Sequence, residues 1–220
     1  MKSHWERVYS SKSATSVSWF QARAEVSLRL IRETGVAPTA AIIDVGGGAS
    51  TLVDDLLANG YSHLSVLDLA ASALDTAKDR LGSQADAVGW IEGDVTQVAL
   101  PAEGFDLWHD RAVFHFMTSP QSRADYVRIL TQALKPGGHA IIATFAQDGP
   151  PQCSELPVMR YDATALSLAL GTAFVLTRHE LESHQTPKGQ IQPFVYCHFR
   201  KAPSSRRSHH ASDDTHDNGL

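Results

Sequence analysis

Residues 42–50, IIDVGGGAS, constrain this chain more than any other stretch. An apolar run ends on an acid, and three glycines follow in direct succession. Glycine loses more conformational freedom on folding than any other residue, so such a run fits a place where bare backbone must turn or approach something closely. A buried strand, a glycine-rich turn and then a helix form the entrance to a doubly wound α/β sheet. In such sheets a ligand binds in the crevice beyond the carboxyl ends of the strands.

The remaining sequence supplies the alternation this architecture needs. Strand-like segments fall at 41–45, 63–68, 88–92, 105–109, 139–145, 174–182 and 191–200. Helix-like segments occupy 50–59, 70–81, 121–134 and 162–170, the third stopped by the Pro and Gly of KPGG at 135–138. Strands alternating with helices predict an α/β fold of the doubly wound, Rossmann-like kind, with seven strands in a single domain. The last two strands are close enough to pair as a hairpin across SHQTPKGQ. Residues 1–34 read as helical, with Trp5, Tyr9, Trp19 and Phe20 interspersed, and 35–202 form the main domain. Residues 203–220 are polar, rich in Ser, His and Asp, and are expected to be disordered.

Bulk properties narrow the function. No run approaches the roughly 18 apolar residues that span a bilayer, and the first residues lack an apolar signal core, so no membrane partner is expected. The two cysteines, Cys153 and Cys197, are too few for a disulfide framework or a four-cysteine zinc site. A reducing, cytoplasmic setting follows. The net charge of −5 speaks against nucleic acid as a ligand. No tight histidine spacing suggests a metal site.

A dinucleotide fingerprint would read G-x-G-x-x-G. Starting at Gly46 the chain offers Gly46, Gly48 and then Thr51, so the third glycine is missing. Another pattern fits better. Asp44, Gly46 and Gly48 follow an acid-x-G-x-G motif, with Ser50 where a further glycine is usual. Asp68 ends LSVLD, GDV covers Gly93 to Val95, and LKPGGHAIIATF leads through the fifth strand. In this order and spacing the chain resembles class I S-adenosylmethionine-dependent methyltransferases over about residues 1–200. The resemblance implies a sheet whose last strand is antiparallel, with S-adenosyl-L-methionine as cofactor. It further implies that Asp44, Gly46, Gly48 and Ser50 line the cofactor turn. Asp68 with Leu69 would hold the ribose, Asp94 with Val95 the adenine, and His109 would stand nearby. A carboxylate at 68 suits a cis-diol, since it can accept both hydroxyl protons.

The opening segment HWERVYSSKSATSVSWFQ resembles that of lysine methyltransferases acting on elongation factor 1A and citrate synthase, and of bacterial relatives. That likeness implies a lid in which Trp5 and Tyr9 cover the cofactor while Trp19 and Phe20 line its mouth. An aromatic face attracts a sulfonium as it does other cations. Plain core packing is the alternative for these rings. The segment after the fourth strand, WHDRAVFHFM, is expected to face the transferring methyl group, and there those lysine enzymes carry an acid, Lys, Gly, Thr, an apolar residue and Asp. Here the same positions hold Asp110, Arg111, Ala112, Val113, Phe114 and His115. The acid and base are kept, whereas the final acid has become His115. His115, Asp110 and Arg111 are the catalytic candidates, with a structural Asp110–Arg111 ion pair and a packed histidine as the bland alternatives. Phe114 and the loop carrying Cys153, Arg160 and Tyr161 are candidates for the acceptor site, together with His184.

The resulting expectation is methyl transfer to a small-molecule acceptor, such as a thiol or other soft nucleophile. Methylation of a protein lysine is the second reading, and a cofactor-binding module without chemistry the third.

Overall fold

The computed structural model describes residues 1–203. The expectation of a disordered tail, with His209, His210 and His216, therefore falls almost wholly outside the described residues.

The main sheet contains β1 (Ala41–Val45), β2 (His63–Asp68), β3 (Val88–Glu92), β4 (Phe105–Arg111), β5 (Leu134–Phe145), β8 (Phe174–Gln185) and β9 (Ile191–Lys201). A separate two-stranded ribbon, β6 (Gln152–Cys153) with β7 (Leu156–Pro157), lies in the loop after β5. Spatial order in the main sheet is β3-β2-β1-β4-β5-β9-β8. The first five strands are parallel, and β9 runs antiparallel to both β5 and β8. Chain direction across the sheet reverses between β1 and β4, the switch point where a doubly wound sheet opens a crevice. This is the Rossmann-like, single-domain α/β architecture that the alternation predicts.

The interior strands are buried on both faces and read as continuous apolar runs, as parallel strands must. Ile42, Ile43, Leu107, Ile141 and Ile142 are fully enclosed. The helices α2 (Glu25–Glu33), α3 (Leu52–Ala58), α4 (Ala71–Leu81), α5 (Pro120–Ala133) and α6 (Ala163–Leu170) contribute to the same core through Leu30, Leu52, Leu74, Leu130 and Leu166. Helix α5 starts where Ser119 accepts a bond from the Ser122 amide at 3.0 Å and Pro120 occupies the first turn.

Several boundaries differ from the sequence reading for local reasons. The N-terminal segment is not continuously helical: α1 (Lys2–Ser11) stops, a single 3₁₀ turn covers Ala14–Ser16, and Trp19 and Phe20 lie in irregular chain. Serine hydroxyls compete with the backbone there, Ser11 donating to the Arg7 carbonyl at 2.6 Å and Ser16 to that of Ser13 at 2.8 Å. Strand β4 extends two residues past its expected end, to Arg111. Strand β5 begins at Leu134 rather than after the glycines, because Leu134 already pairs with Phe105 on β4, ahead of an irregularity in the register. Among the described residues no helix is long and apolar enough to cross a membrane.

Candidate active site

Each residue of the glycine run makes room for a specific neighbour. Gly46 has φ +69°, a region that a side chain rarely tolerates, and a Cβ there would collide with Val113. A Cβ at Gly47 would meet the Asp44 carboxylate. At Gly48 it would stand 2.5 Å from both the Asp68 carboxylate and the Ala73 methyl. The turn is therefore pressed against the two acids that end β1 and β2. Asp68 accepts from the Gly48 amide at 3.0 Å and the Ala70 amide at 2.9 Å, while burial pushes its pKa up to about 6. Asp44 is held by His109, whose Nδ1 lies 2.7 Å from Oδ1. Its second oxygen, Oδ2, is buried without a protein partner. That oxygen is packed against Gly47, and Asp44 as a residue borders a hollow beside the turn.

Two connected hollows flank this turn. The larger is lined by Trp5, Tyr9, Trp19, Gly46, Asp68, Leu69, Asp94, Val95, Arg111 and Cys153, all anticipated from sequence. Gly93 of the GDV motif and Ala112, Val113, Phe116 and Met117 of the segment after β4 complete most of its wall, though none was singled out as a site residue, and Met1 joins them unanticipated. The second hollow lies on the other side of Gly46 and includes Asp44, Ser50, His109 and Phe20, with Tyr9, Trp19 and Arg111 shared. Gly48, expected on the cofactor turn, lines neither hollow and instead packs against Asp68 and Ala73. Asp94 closes its own local turn by accepting from the Thr96 amide at 2.9 Å, which leaves it at the rim beside Gly93 and Val95.

Helix α1 is docked over the larger hollow by polar contacts. The Glu6 carboxylate accepts from the Ala71 amide at 2.8 Å and the Ser72 hydroxyl at 2.6 Å, so it caps α4 from outside. Lys2 pairs with Glu92, and His4 reaches Ser154 in the β6–β7 ribbon at 3.3 Å. Trp5 packs edge-on to Trp19 at 5.6 Å and to Phe116 at 5.3 Å. Only Val8 of this helix is fully buried.

The segment after β4 divides its residues between two roles. Asp110 and Arg111, neighbours on a strand, point to opposite faces and form no ion pair with each other. Asp110 turns inward: it accepts from the Tyr126 hydroxyl at 2.6 Å, the Val113 amide at 2.9 Å and the Phe114 amide at 3.0 Å, and burial pushes its pKa up to about 6. It thereby shapes the turn in which Ala112 adopts φ 72°. Arg111 faces the hollows. Its Nε donates to the Tyr196 hydroxyl at 2.8 Å, one Nη to the Trp19 carbonyl at 3.2 Å, and its guanidinium lies 4.2 Å from the Phe194 ring centre. Glu182 is 3.4 Å from the other Nη.

His115 does not line either hollow. It lies behind Phe116, packed at 4.5 Å from that ring and 4.9 Å from Phe145, and burial with nearby Arg111 holds its pKa down at about 3. A neutral imidazole walled off by Phe116 has no direct path to an acceptor. Phe114 likewise belongs to the core, against Tyr126 at 4.9 Å. Arg160 donates to the Gly149 carbonyl at 3.2 Å, and Tyr161 packs on Phe114, both apart from the hollow walls. His184 bonds the Ser18 carbonyl at 2.8 Å and borders a shallow outer depression instead. Cys153 is on the wall, its thiol pushed up to about 12 by burial.

The geometry now meets its relatives. Residues 42–138 match the family model described as a methyltransferase domain. The eEF1A lysine and N-terminal methyltransferase of Mus musculus is 20% identical over 220 residues, covering 92% of this chain. The chain spans only 29% of that relative's length. A structure solved for the conversion of a disulfide bond into a thioacetal group during echinomycin biosynthesis shares the fold with a TM-score of 0.76 at 17% identity, covering 94% of this chain and 93% of the other. The 1,6-didemethyltoxoflavin-N1-methyltransferase of Burkholderia thailandensis, solved with 1,6-didemethyltoxoflavin and S-adenosylhomocysteine, has a TM-score of 0.65 at 19% identity. The match covers 89% of this chain and 81% of that one. Residues 42–138 therefore match a methyltransferase domain, set in a fold shared with solved methyltransferases.

Proposed function

We propose that the protein transfers the methyl group of S-adenosyl-L-methionine to a small-molecule acceptor through a soft nucleophilic atom, a thiol being the leading case. The residues present suit the cofactor. Asp68 has lone pairs left for a ribose diol after holding two amides. The unpartnered Oδ2 of Asp44 suits an ammonium group, and the glycine turn admits backbone contact. Gly93, Asp94 and Val95 form the rim on which adenine would lie. When bound, the cofactor supplies a methyl group already activated on a sulfonium.

The chain's own contribution is placement and enclosure. Well-oriented reactants alone can lower a barrier by roughly 7–11 kcal/mol. Trp5, Tyr9, Trp19 and Phe116 surround the larger hollow with aromatic faces, which favour a cation and exclude water. Helix α1 and the irregular chain to Phe20 act as a lid in this reading, since α1 is fastened by polar contacts near the surface, whereas α2 is anchored in the core through Leu30 and Ile31.

One observation carries the acceptor assignment: the charged group on the acceptor side is Arg111, a cation. Apart from Asp68 and Asp94 at the cofactor end, no carboxylate lines the larger hollow among the described residues. A nearby guanidinium favours a thiolate and disfavours an ammonium. The structure solved for disulfide-to-thioacetal conversion fits chemistry at sulfur, whereas the mouse relative's name favours a protein amine. The deciding experiment offers radiolabelled S-adenosylmethionine with a panel of small thiols and, separately, with cell lysate. Label in a small thiol product supports the reading. Label only on protein contradicts it, and tight cofactor binding with no label anywhere favours a module without chemistry.

A further inference from the structure

The N-terminal segment is gripped at two places, and the grips differ in kind. At the front, helix α1 presents two faces. Trp5 and Tyr9, one turn apart, line the larger hollow, while Lys2 and Glu6, also one turn apart, reach Glu92 at the end of β3 and the start of α4. Glu6 holds that helix start with both oxygens. Oε1 accepts from the Ala71 amide at 2.8 Å, and Oε2 accepts from the Ser72 amide at 3.3 Å and the Ser72 hydroxyl at 2.6 Å. Ala70 gives α4 no side-chain cap, and Asp68 takes the Ala70 amide at 2.9 Å. The first free amides of α4 are therefore divided between the acid expected to hold the ribose and an acid of the lid.

At the rear, residues 18–21 are tied to the sheet. Arg111 donates to the Trp19 carbonyl at 3.2 Å, His184 Nε2 to the Ser18 carbonyl at 2.8 Å, and the Gln21 side-chain amide to Glu182 at 2.9 Å. These anchors lie in the protein: His184 is buried, and the Arg111 and Glu182 side chains are 10% and 13% exposed. The front grip stands nearer water, with the Lys2 and Glu92 side chains 55% and 45% exposed and Val8 the one buried residue of α1. Between the grips Lys12, Ser13, Thr15 and Ser16 are exposed, and the three hydroxyls take part in bonds within that same short turn.

We infer that α1 is a flap that swings on residues 12–16, and that Glu6 is its latch. Glu6 and Ser72 line neither hollow. Glu6 is therefore a positioning residue, which keeps Trp5 and Tyr9 over the crevice by holding α4. Opening the flap gives the α4 amides to water and parts Trp5 from Trp19, which stays with the rear grip. The cofactor then leaves at the rate at which Glu6 lets go of α4. The inference rests on the proposal that S-adenosylmethionine occupies the larger hollow.

The test is stopped-flow tryptophan fluorescence of S-adenosylhomocysteine binding and release in the wild type, Glu6→Ala, Ser72→Ala and the double variant. Glu6→Ala is expected to speed release about tenfold, the scale of a hydrogen bond to a charged group, while association is not slowed. Ser72→Ala should speed release less, and should add nothing once Glu6 is replaced, because both substitutions act on one contact. Unchanged release in Glu6→Ala, or additive effects of the two substitutions, would overturn the latch. Slowed association would overturn it too, since that is the mark of a crevice damaged as a whole. Hydrogen exchange on the wild type decides the matter even if a variant fails to fold. The Ala71 and Ser72 amides should slow on adding S-adenosylhomocysteine by more than the Lys78 and Asp79 amides farther along α4. Equal slowing along the helix would contradict the latch. Failure of the wild type to bind S-adenosylhomocysteine at all would instead remove the cofactor reading on which the latch rests.

Discussion

The two sides of the crevice are built from different materials. On the β1–β2 side the wall is main chain and carboxylate: glycines 46–48 lie within contact of Asp44 and Asp68, and amides 48 and 70 point at Asp68. On the other side it is side chain: Trp5 and Trp19 from the N-terminal segment, Val113, Phe116 and Met117 from the turn after β4, and Cys153 from the β6–β7 ribbon. The first is a local device, fixed within 30 residues of sequence and intolerant of any added atom. The second converges from three distant segments and can be repacked. A domain of this kind can therefore hold one cofactor rigidly while its acceptor chamber varies.

That contrast sets an order of sensitivity. Gly48→Ala should act most severely, since its Cβ would stand 2.5 Å from Asp68 Oδ2 and Ala73. We expect S-adenosylhomocysteine binding to vanish in calorimetry, with stability falling by about 1–3 kcal/mol from overpacking. Normal binding would show the turn to be as pliable as the opposite wall. Asp68→Ala should weaken binding by about 1.5–3 kcal/mol, the scale of hydrogen bonds to a charged group. An unchanged dissociation constant would move the ribose elsewhere. Trp5→Ala should cost less, about 0.5–1.5 kcal/mol of aromatic contact, seen as faster cofactor release in stopped-flow measurements. Met117→Ala should shift cofactor affinity by under about 0.5 kcal/mol while changing which acceptor is preferred in the thiol panel. Equal effects at Met117 and Asp68 would erase the distinction between the two sides.

Acid response distinguishes His115 from the buried carboxylates on both sides. His115 titrates near 3 when folded and near its ordinary 6.5 when unfolded, so the unfolded chain binds the extra proton. Its contribution is present above about pH 6.5 and is lost as pH falls toward 3. Asp68 and Asp110, raised to about 6, work in the opposite sense, adding stability as pH falls from 6 toward 3.8. Replacing His115 by Phe should therefore make thermal unfolding less sensitive to acid between pH 7 and 5. A variant as acid-labile as the wild type would show that the histidine is not held neutral.

The same contrast explains what could be read from the chain alone. The run of strands and helices, the closing hairpin and the glycine turn were legible because strand periodicity and short motifs encode them within a few residues, and Asp68, Leu69 and Asp94 line the larger hollow as the motif order suggested. That the segment after β4 faces the crevice was also expected, but which of its side chains form the wall was not legible, because that depends on Asp110 drawing the Val113 and Phe114 amides into a turn. The resemblance to lysine methyltransferases suggested that His115 faces an acceptor. The one-turn 3₁₀ helix at Phe114–Phe116 rotates Phe116 outward and the histidine inward instead. The interruption between α1 and α2 was masked by aromatic residues at helical spacing, while the signal against a helix was the serine cluster at 10–16. Arg160, Tyr161 and His184 were assigned by loop position, which does not determine direction.

The most direct test is a crystal structure of the protein grown with S-adenosylhomocysteine. The ribose hydroxyls should lie on Asp68 and the adenine beside Gly93–Val95, with the sulfur facing Trp5, Phe116 and Arg111. An empty crevice, or a nucleoside whose ribose sits away from Asp68, would contradict the account.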